Sequence, residues 1–436
     1  MHRRRSFVAG RQRQLALAAL ALTITAMLTS GPLDARAQTA AVPPSPERLT
    51  LRAAFDAAWT RQPEAQALNV RRDAARAQAQ AAQAWTPEAP TLELSSKTDR
   101  LNRNLGTREY QAGVAIPLWL PGERGRSQAL AEAEGRAVES RTTAAQLRVA
   151  AAVREAWWSW QRARVEMAAA QGQLDNVRRI AADVAKRLTA GDLARADQHQ
   201  ADGAVAAAEA AMAQAESTLT AARMHLGALT AQPRLSAEGG AATAAEPEPP
   251  LGGTSGGAPG THAELVALND RAAVSEGAAT LAAAQSRANP ELTIAATRDR
   301  GAYGESYQQT FTVGVRIPFG AGPRYEARVA SARAEALELR AQFALERARL
   351  ASERESARTR TDAARTQLAA AERRAQLARE TRGFFDKSFR LGETDLPTRL
   401  RIEAEAADAE RQAARARIEL AVAISAWRQA VGLLPQ

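Results

Sequence analysis

The sequence repeats itself at an offset of about 200 residues, and no other feature limits the possible folds as much. At an offset of 200, Glu64, Leu68 and Asn69 meet Glu264, Leu268 and Asn269. Pro90, Leu92, Asp99 and Arg100 meet Pro290, Leu292, Asp299 and Arg300 at the same offset. At 201, Gly113-Val114-Ala115-Ile116-Pro117-Leu118 meets Gly314-Val315-Arg316-Ile317-Pro318-Phe319. At 203, Leu188 and Asp192-Leu193 meet Leu391 and Asp395-Leu396. The drift is small and always positive, as short loop insertions produce. Four segments follow: a leader at 1–37, a first repeat at 38–230, an irregular insert at 231–261 and a second repeat at 262–436. The insert is rich in Pro, Gly, Ala, Ser and Glu.

Each repeat reads as helix, strand, strand, very long helix, turn, helix. The strands alternate with period two. In the first strand Leu92 and Leu94 share one face, and in the second Tyr110, Ala112, Val114, Ile116 and Leu118 share one face. In the second repeat Leu292, Ile294 and Ala296 alternate with threonines and alanine, and Phe311, Val313, Val315, Ile317 and Phe319 alternate with Thr312, Gly314 and Arg316. Segments of about ten residues, apolar on one side and polar on the other, have the length of a membrane-spanning strand. A hairpin packed on a soluble core would show the same alternation.

The helices separate the two readings. From Arg126 to Arg187 there is no proline and there are two glycines, Gly135 and Gly172. About 62 residues at 1.5 Å each span roughly 90 Å. Tyr325 to Arg390 is similar, with Gly383 its single glycine. Such helices need partners along their whole run. Val153, Trp160, Met167, Leu174, Ala181 and Leu188 recur every seven residues, and Ala156, Ala163, Ala170, Val177 and Val184 fill the companion position. This is a coiled-coil seam with many small residues. Trp157, Trp158 and Trp160 read as packing residues on it.

Composition narrows the function. There is no cysteine, which excludes disulfides, thiolate metal sites and a lipidated N-terminal cysteine. His2, His199, His225 and His262 are scattered, so no metal site or cofactor is expected. The net charge of +10 falls to about +5 without residues 1–37, which hold six arginines and one aspartate. No basic run with interleaved aromatics suggests nucleic acid. Carboxylates such as Asp197, or Glu403 with Glu405, lie on charged helix faces, and Gly252-Gly253 and Gly256-Gly257 have no following lysine, so no catalytic site and no enzyme is expected. Arg3, Arg4, Arg5, Arg11 and Arg13, the apolar stretch Leu15 to Leu28 and Ala35-Arg36-Ala37 have the layout of a cleavable secretory signal. No other segment approaches the ~18 apolar residues of a membrane helix.

Four strands per chain cannot close a barrel, and an open sheet edge cannot sit in lipid. If the strands span a membrane the chain oligomerises, with eight strands from two copies or twelve from three. The long helices leave the same end of each hairpin and run away from the membrane as a bundle.

The opening Leu49-Thr50-Leu51 with Ala53, Ala54, Phe55 and Gln62-Pro63-Glu64, the Gly-Val-x-Ile-Pro pattern in both second strands, and Gly392-Glu393-Thr394-Asp395-Leu396 resemble the TolC-type outer-membrane efflux family. Their order, spacing and duplication cover nearly the whole chain after the leader. Pro117-Leu118-Trp119-Leu120-Pro121-Gly122 is similar to its cobalt-zinc-cadmium efflux branch.

The resemblance implies a mainly α fold with a transmembrane β part: a homotrimer with a twelve-stranded barrel in outer-membrane lipid and a twelve-helix periplasmic tunnel. It implies docking on a periplasmic adaptor and an inner-membrane pump, as the exit duct of an efflux system. The lipid-facing residues are then Leu92, Leu94, Tyr110, Val114, Ile116, Leu292, Ile294, Phe311, Val313, Val315 and Ile317. The adaptor-facing turns carry Leu188, Gly191, Asp192 and Leu193, and Leu391, Gly392, Thr394, Asp395 and Leu396. Family members often place aspartates just past the second turn. Here Thr398-Arg399-Leu400-Arg401 stands there, so Thr398, Arg399 and Arg401 become entrance candidates, with Arg316 a second lumen candidate on its strand. A soluble periplasmic adaptor or a structural coiled coil is the alternative, but neither accounts for two hairpins with apolar faces.

Overall fold

In the computed structural model of the chain the two repeats join in one sheet and one helix bundle. The described residues are 50–231, 245–250, 261–320 and 322–436, all within a single unit, Arg48–Gln436. The expected leader at 1–37, most of the insert at 231–261 and its two glycine pairs lie outside the described residues.

The first repeat comprises α1 (Leu51–Thr60), α2 (Pro63–Gln83), β1 (Thr91–Thr98), β2 (Arg108–Pro117), α3 (Glu123–Ala190) and α4 (Arg195–Thr230). The second comprises α5 (Ala263–Ala284), β3 (Glu291–Arg300), β4 (Gln308–Arg316), α6 (Gly322–Arg390) and α7 (Leu396–Val431). Thr50 caps α1, its hydroxyl accepting the Ala53 amide at 3.1 Å. Pro63 opens α2, where a missing N–H costs nothing.

The sheet is antiparallel throughout, in the order β1-β2-β3-β4. Its central pair, β2 and β3, comes from different repeats. The two hairpins therefore lie side by side, and β1 and β4 are edges.

α3 has 68 residues and α6 has 69, each about 100 Å long. α4 and α7 have 36 residues each and turn back along only half of that length. The remaining half of α3 is covered by α2 and α5, and α5 also packs on α6. The long helices thus have partners along their run, which is what makes them stable in water. The seam read from the sequence is observed: Val153, Ala156, Trp160, Ala163, Leu174, Val177 and Val184 are buried.

The largest core gathers where the returning helices end. Leu51, Ala54 and Phe55 of α1 pack on Val153, Trp157, Trp158 and Trp160 of α3, Leu226 of α4 and Ile418 of α7. Trp157 and Trp160 meet edge to face, with centroids 5.3 Å apart. The tryptophans are packing residues, with large area and one polar handle each. The Trp158 indole donates to Ser425 at 2.8 Å.

A charged pin lies beside this core. Glu246, in the short described stretch 245–250, is buried between two arginines from different repeats. Arg154 donates to it at 2.8 and 3.0 Å, Arg428 donates at 3.2 Å, and the Ser425 hydroxyl completes its shell. Burial pushes the Arg428 guanidinium down and Glu246 opposes that shift. Removing one partner of such a cluster leaves uncompensated buried charge. Glu246→Ala is expected to cost about 3–5 kcal/mol, read as a lowered denaturation midpoint of the purified protein.

Candidate functional site

Two regions carry the candidate residues: the faces of the sheet and the two turns at the far ends of the long helices. The register places Leu92, Val114, Ile294 and Val313 in one row across the sheet, and Leu94, Ala112, Ala296 and Phe311 in the next. Ile116, Leu292 and Val315 form a third row on that face. Among the described residues nothing covers this face: Leu92 and Leu94 are 69% and 71% exposed, Phe311 and Val313 73% and 70%. Tyr110 shares it, one row beyond Leu94. The other face carries Glu93, Gly113, Ala295 and Thr312 in one row and Lys97, Glu109, Asp299 and Gln308 in another. The expected apolar residues within the four strands therefore stand together on one face, and Ile317 lies just past β4. Arg316 stands on the polar one, paired with Glu291 at 3.1 Å. Strands of eight to ten residues match an apolar band about 25 Å tall once tilted.

The turns are built alike. Gly191 ends α3 with φ 86° and Gly392 follows α6 with φ 79°, left-handed values that favour glycine. In the first turn the amides of Gly191 and Asp192 bond to the carbonyls of Leu188 and Arg187; in the second those of Gly392 and Glu393 bond to Phe389 and Ser388. Both pairs form the two-bond closure that satisfies the last carbonyls of a helix. Asp395 caps α7 through the Thr398 amide at 3.3 Å. In the first turn Asp197 does the comparable work, accepting the Ala194 amide at 2.9 Å, and Asp192 stays exposed.

The predicted turn residues separate by exposure. Leu391 is 75% exposed, whereas Leu396 is 1% exposed and packs with Ile180, Val184, Ala201 and Phe389. Leu188 and Leu193 are half-buried, Leu193 against that same cluster. Leu396 is thus a core residue of the tip, because the first turn of α7 faces α3. Thr394 is turned to the Ser388 hydroxyl at 2.6 Å. Gly191, Gly392 and Asp395 lie open.

Arg399 also departs from the expectation of an entrance residue. It is buried in the wall, donating to Asp386 at 2.8 Å and to Glu403 at 2.9 Å. Glu403 in turn accepts from Asn176 of α3 at 2.9 Å, and Arg382 reaches both Glu403 and Glu410. Arg187 of α3 donates to the Phe389 carbonyl at 3.0 Å and lies 4.7 Å over its ring. These bonds tie the α6–α7 hairpin to α3. A cavity of about 480 Å³ lies over this network. Arg401 is exposed and paired to Glu405 at 2.6 Å, and Thr398 is half-buried. The i, i+4 spacing of Arg399 and Glu403 was readable in the sequence; the approach of Asp386 across the turn was not.

The branch-like stretch at 117–122 is a junction. The Trp119 indole donates to the Ala84 carbonyl at 3.2 Å, and Gly122 takes φ 74° at the start of α3. Glu123 is buried there and accepts from Leu120, Gln285 and Asn289 at 2.9, 2.7 and 2.7 Å. His262 caps α5, its Nδ1 accepting the Glu264 amide at 3.3 Å. Among the described residues no group of acidic or histidine side chains has metal-ligand geometry. No helix among them is long and apolar enough to cross a membrane.

The chain thus joins an open-edged sheet, apolar on one face and polar on the other, to paired helices about 100 Å long. Residues 55–232 match the family described as "Outer membrane efflux protein". No curated protein sequence matches the chain. Among solved structures, CusC matches with TM-score 0.71 at 18% identity, over 88% of this chain and 92% of that one. VceC from Vibrio cholerae matches with TM-score 0.69 at 18% identity, over 88% and 96%. A membrane protein from Pseudomonas aeruginosa matches with TM-score 0.69 at 20% identity, over 88% and 93%. The family match over the first repeat and the fold shared with these structures agree with the resemblance to TolC-type outer-membrane efflux proteins.

Burial acts upward on Asp386, but hydrogen bonds from Arg390 and Arg399 outweigh it and hold the carboxyl below its ordinary value of 3.8. A depressed carboxylate adds stability above the unfolded pKa and loses it as pH falls through the folded value. The turn end should therefore hold steady from about pH 5 upward and loosen only below about pH 4. Arg399→Ala should loosen it at neutral pH. The check is the amide-exchange protection across 383–403, corrected for the intrinsic pH dependence of exchange: at least tenfold lower in the variant, and unchanged between pH 5 and 8 in the parent.

Proposed function

We propose that the chain is the outer-membrane exit duct of a tripartite efflux system, working as a homotrimer. The observation that carries this reading is the sheet: an uncovered apolar face bounded by two unpaired edges. β1 and β4 run antiparallel, so β4 of one copy can extend the ladder with β1 of the next without reversing direction. Three copies give twelve strands, wide enough for a conduit where eight would fill with side chains. α3, α4, α6 and α7 of three copies give a twelve-helix tunnel below the barrel.

In this reading a cleaved leader at 1–37 sends the chain out of the cytoplasm, and its helices extend into the periplasm. The turns at 188–193 and 391–396 meet a periplasmic adaptor that joins the duct to an inner-membrane pump, with Leu391 as the most presented apolar contact. Glycine at 191 and 392 keeps both turns tight. The duct acts by containment and electrostatics rather than by bond chemistry and needs no cofactor. Arg401, on the open face near the second turn, is the entrance residue best placed to bias ion passage, since a ring of three guanidiniums attracts anions and repels cations. Arg316 is the barrel-level counterpart, on the polar face.

Two measurements test this. The protein expressed with its leader should fractionate with the outer membrane as a heat-resistant trimer in mild detergent; a monomer soluble without detergent would overturn the reading. Val313→Arg, on the apolar face, should cost about 2–4 kcal/mol and reduce trimer yield, whereas Thr312→Arg, one residue away on the polar face, should assemble. In a planar bilayer Arg401→Glu should shift the reversal potential toward cation preference, and an unchanged value would remove Arg401 from the entrance.

A further inference from the structure

The hairpin end of the sheet, farthest from the helices, carries a surface that the duct function does not use. Three of the chain's four tyrosines lie there: Tyr110, Tyr303 and Tyr307. Beyond the row of Leu94, Ala112, Ala296 and Phe311, the next row on the same face holds Tyr110 and Arg298, and the one after it Arg108 and Arg300. Arg298 and Arg300 both stack on the Tyr307 ring, at 4.8 and 5.1 Å from its centroid, and Arg300 also lies 5.6 Å from that of Tyr303. Arg108 is the direct cross-strand partner of Arg300.

Like charges in such positions repel, yet none of the three arginines is in an ion pair among the described residues. Arg108 donates to the Thr98 hydroxyl, and Arg300 donates to the Gly106 carbonyl at 3.1 Å. The nearby carboxylates are engaged elsewhere or face away. Glu109 pairs with Lys97 on the opposite face, where Asp299 also stands. Asp99 accepts the Leu105 amide at 2.6 Å, and Glu305 accepts those of Gly301 and Ala302. Charge is therefore sorted by face: guanidiniums on the apolar side, carboxylates on the polar side.

The loops hold this arrangement in place. Gly106 has φ 100°, and a Cβ there would lie 2.4 Å from the Tyr303 amide nitrogen. The Tyr303 hydroxyl donates to Asn104 at 2.8 Å and the Thr107 hydroxyl to the Gly301 carbonyl at 2.8 Å. The two hairpin loops are thus locked together under the arginines.

We infer that this row binds the phosphate-bearing head groups of anionic lipids in the leaflet around the hairpin ends. Its position just past the apolar band is the level at which aromatic side chains meet head groups. The arginine fork matches phosphate oxygens, and an unpaired cationic row beside an apolar one fits a molecule that is anionic at one end and apolar at the other. The inference rests on the barrel reading above.

The experiment is native mass spectrometry of the detergent-purified trimer with added phosphatidylglycerol, phosphatidylcholine or inorganic phosphate. Phosphatidylglycerol should remain bound and phosphatidylcholine should not. Arg108→Gln, Arg298→Gln and Arg300→Gln should each weaken retention roughly fivefold, and the triple variant should lose it. Equal retention of both lipids, or of phosphatidylglycerol by the triple variant, overturns the proposal. Displacement by millimolar inorganic phosphate alone also overturns it, because the site would then be for the free anion. If the triple variant does not assemble, Arg298→Gln alone decides. Absence of any detergent-stable trimer in the parent would strike the barrel reading instead, so the two failures are distinguishable.

Discussion

The backbone along β1 and β4 governs the rest of the structure. Among the described residues each edge presents amides and carbonyls with no strand partner, while the face between them is apolar and uncovered. Water would satisfy the edges but not the face; lipid would satisfy the face but not the edges. Both demands are met together when the edges pair with copies of the same chain in a closed ring. Under the proposed closure the remaining architecture follows. Pairing of β2 with β3 puts the two hairpins in one continuous segment of wall, and the helices that follow β2 and β4 must then descend side by side from its rim.

The duplication supplies two similar halves, but polar contacts make them one unit. Glu123 at the head of α3 collects donors from the α5–β3 connection, Glu246 is clamped by an arginine from each repeat, and Glu403 of α7 takes a bond from α3. These contacts occur at three levels along the bundle, beneath the sheet, beside the tryptophan core and near the turns. Apolar seams rich in alanine slide and misregister easily, because their small side chains look alike from one turn to the next. Buried charges with fixed partners have one register that satisfies them. Placing one at each level fixes the axial position of every hairpin.

Much of this was legible in the sequence. The alternating strands, the lengths of α3 and α6, the α3 seam and the turn glycines all depend on local periodicity or on residues with special backbone freedom, and both survive in a linear reading. What was not legible depends on distance along the chain. Arg399 looked like a free cation at the mouth of a duct because Asp386 lies thirteen positions earlier, across the turn, and nothing in their spacing marks a pair. Leu396 reads as a tip residue by position, and its burial follows from the angle at which α7 leaves the turn. Glu246 sat in a stretch read as irregular insert, with no hint that two arginines 92 positions upstream and 182 downstream converge on it. The sorting of charge between the faces of the hairpin ends was present in the alternation, but it emerges only once the register shows which rows are continuous.

The near-equal lengths of α3 and α6, at 68 and 69 residues, bring both turns to one level. A threefold ring of such chains would therefore end in six tips at a single height, close to sixfold in outline. The two turns of the chain differ, since one exposes Leu391 and the other half-buries Leu188 and Leu193, so the tips of such a ring would alternate. A ring of six identical docking subunits could sit on such a rim, but its members would meet two chemically different seats in turn.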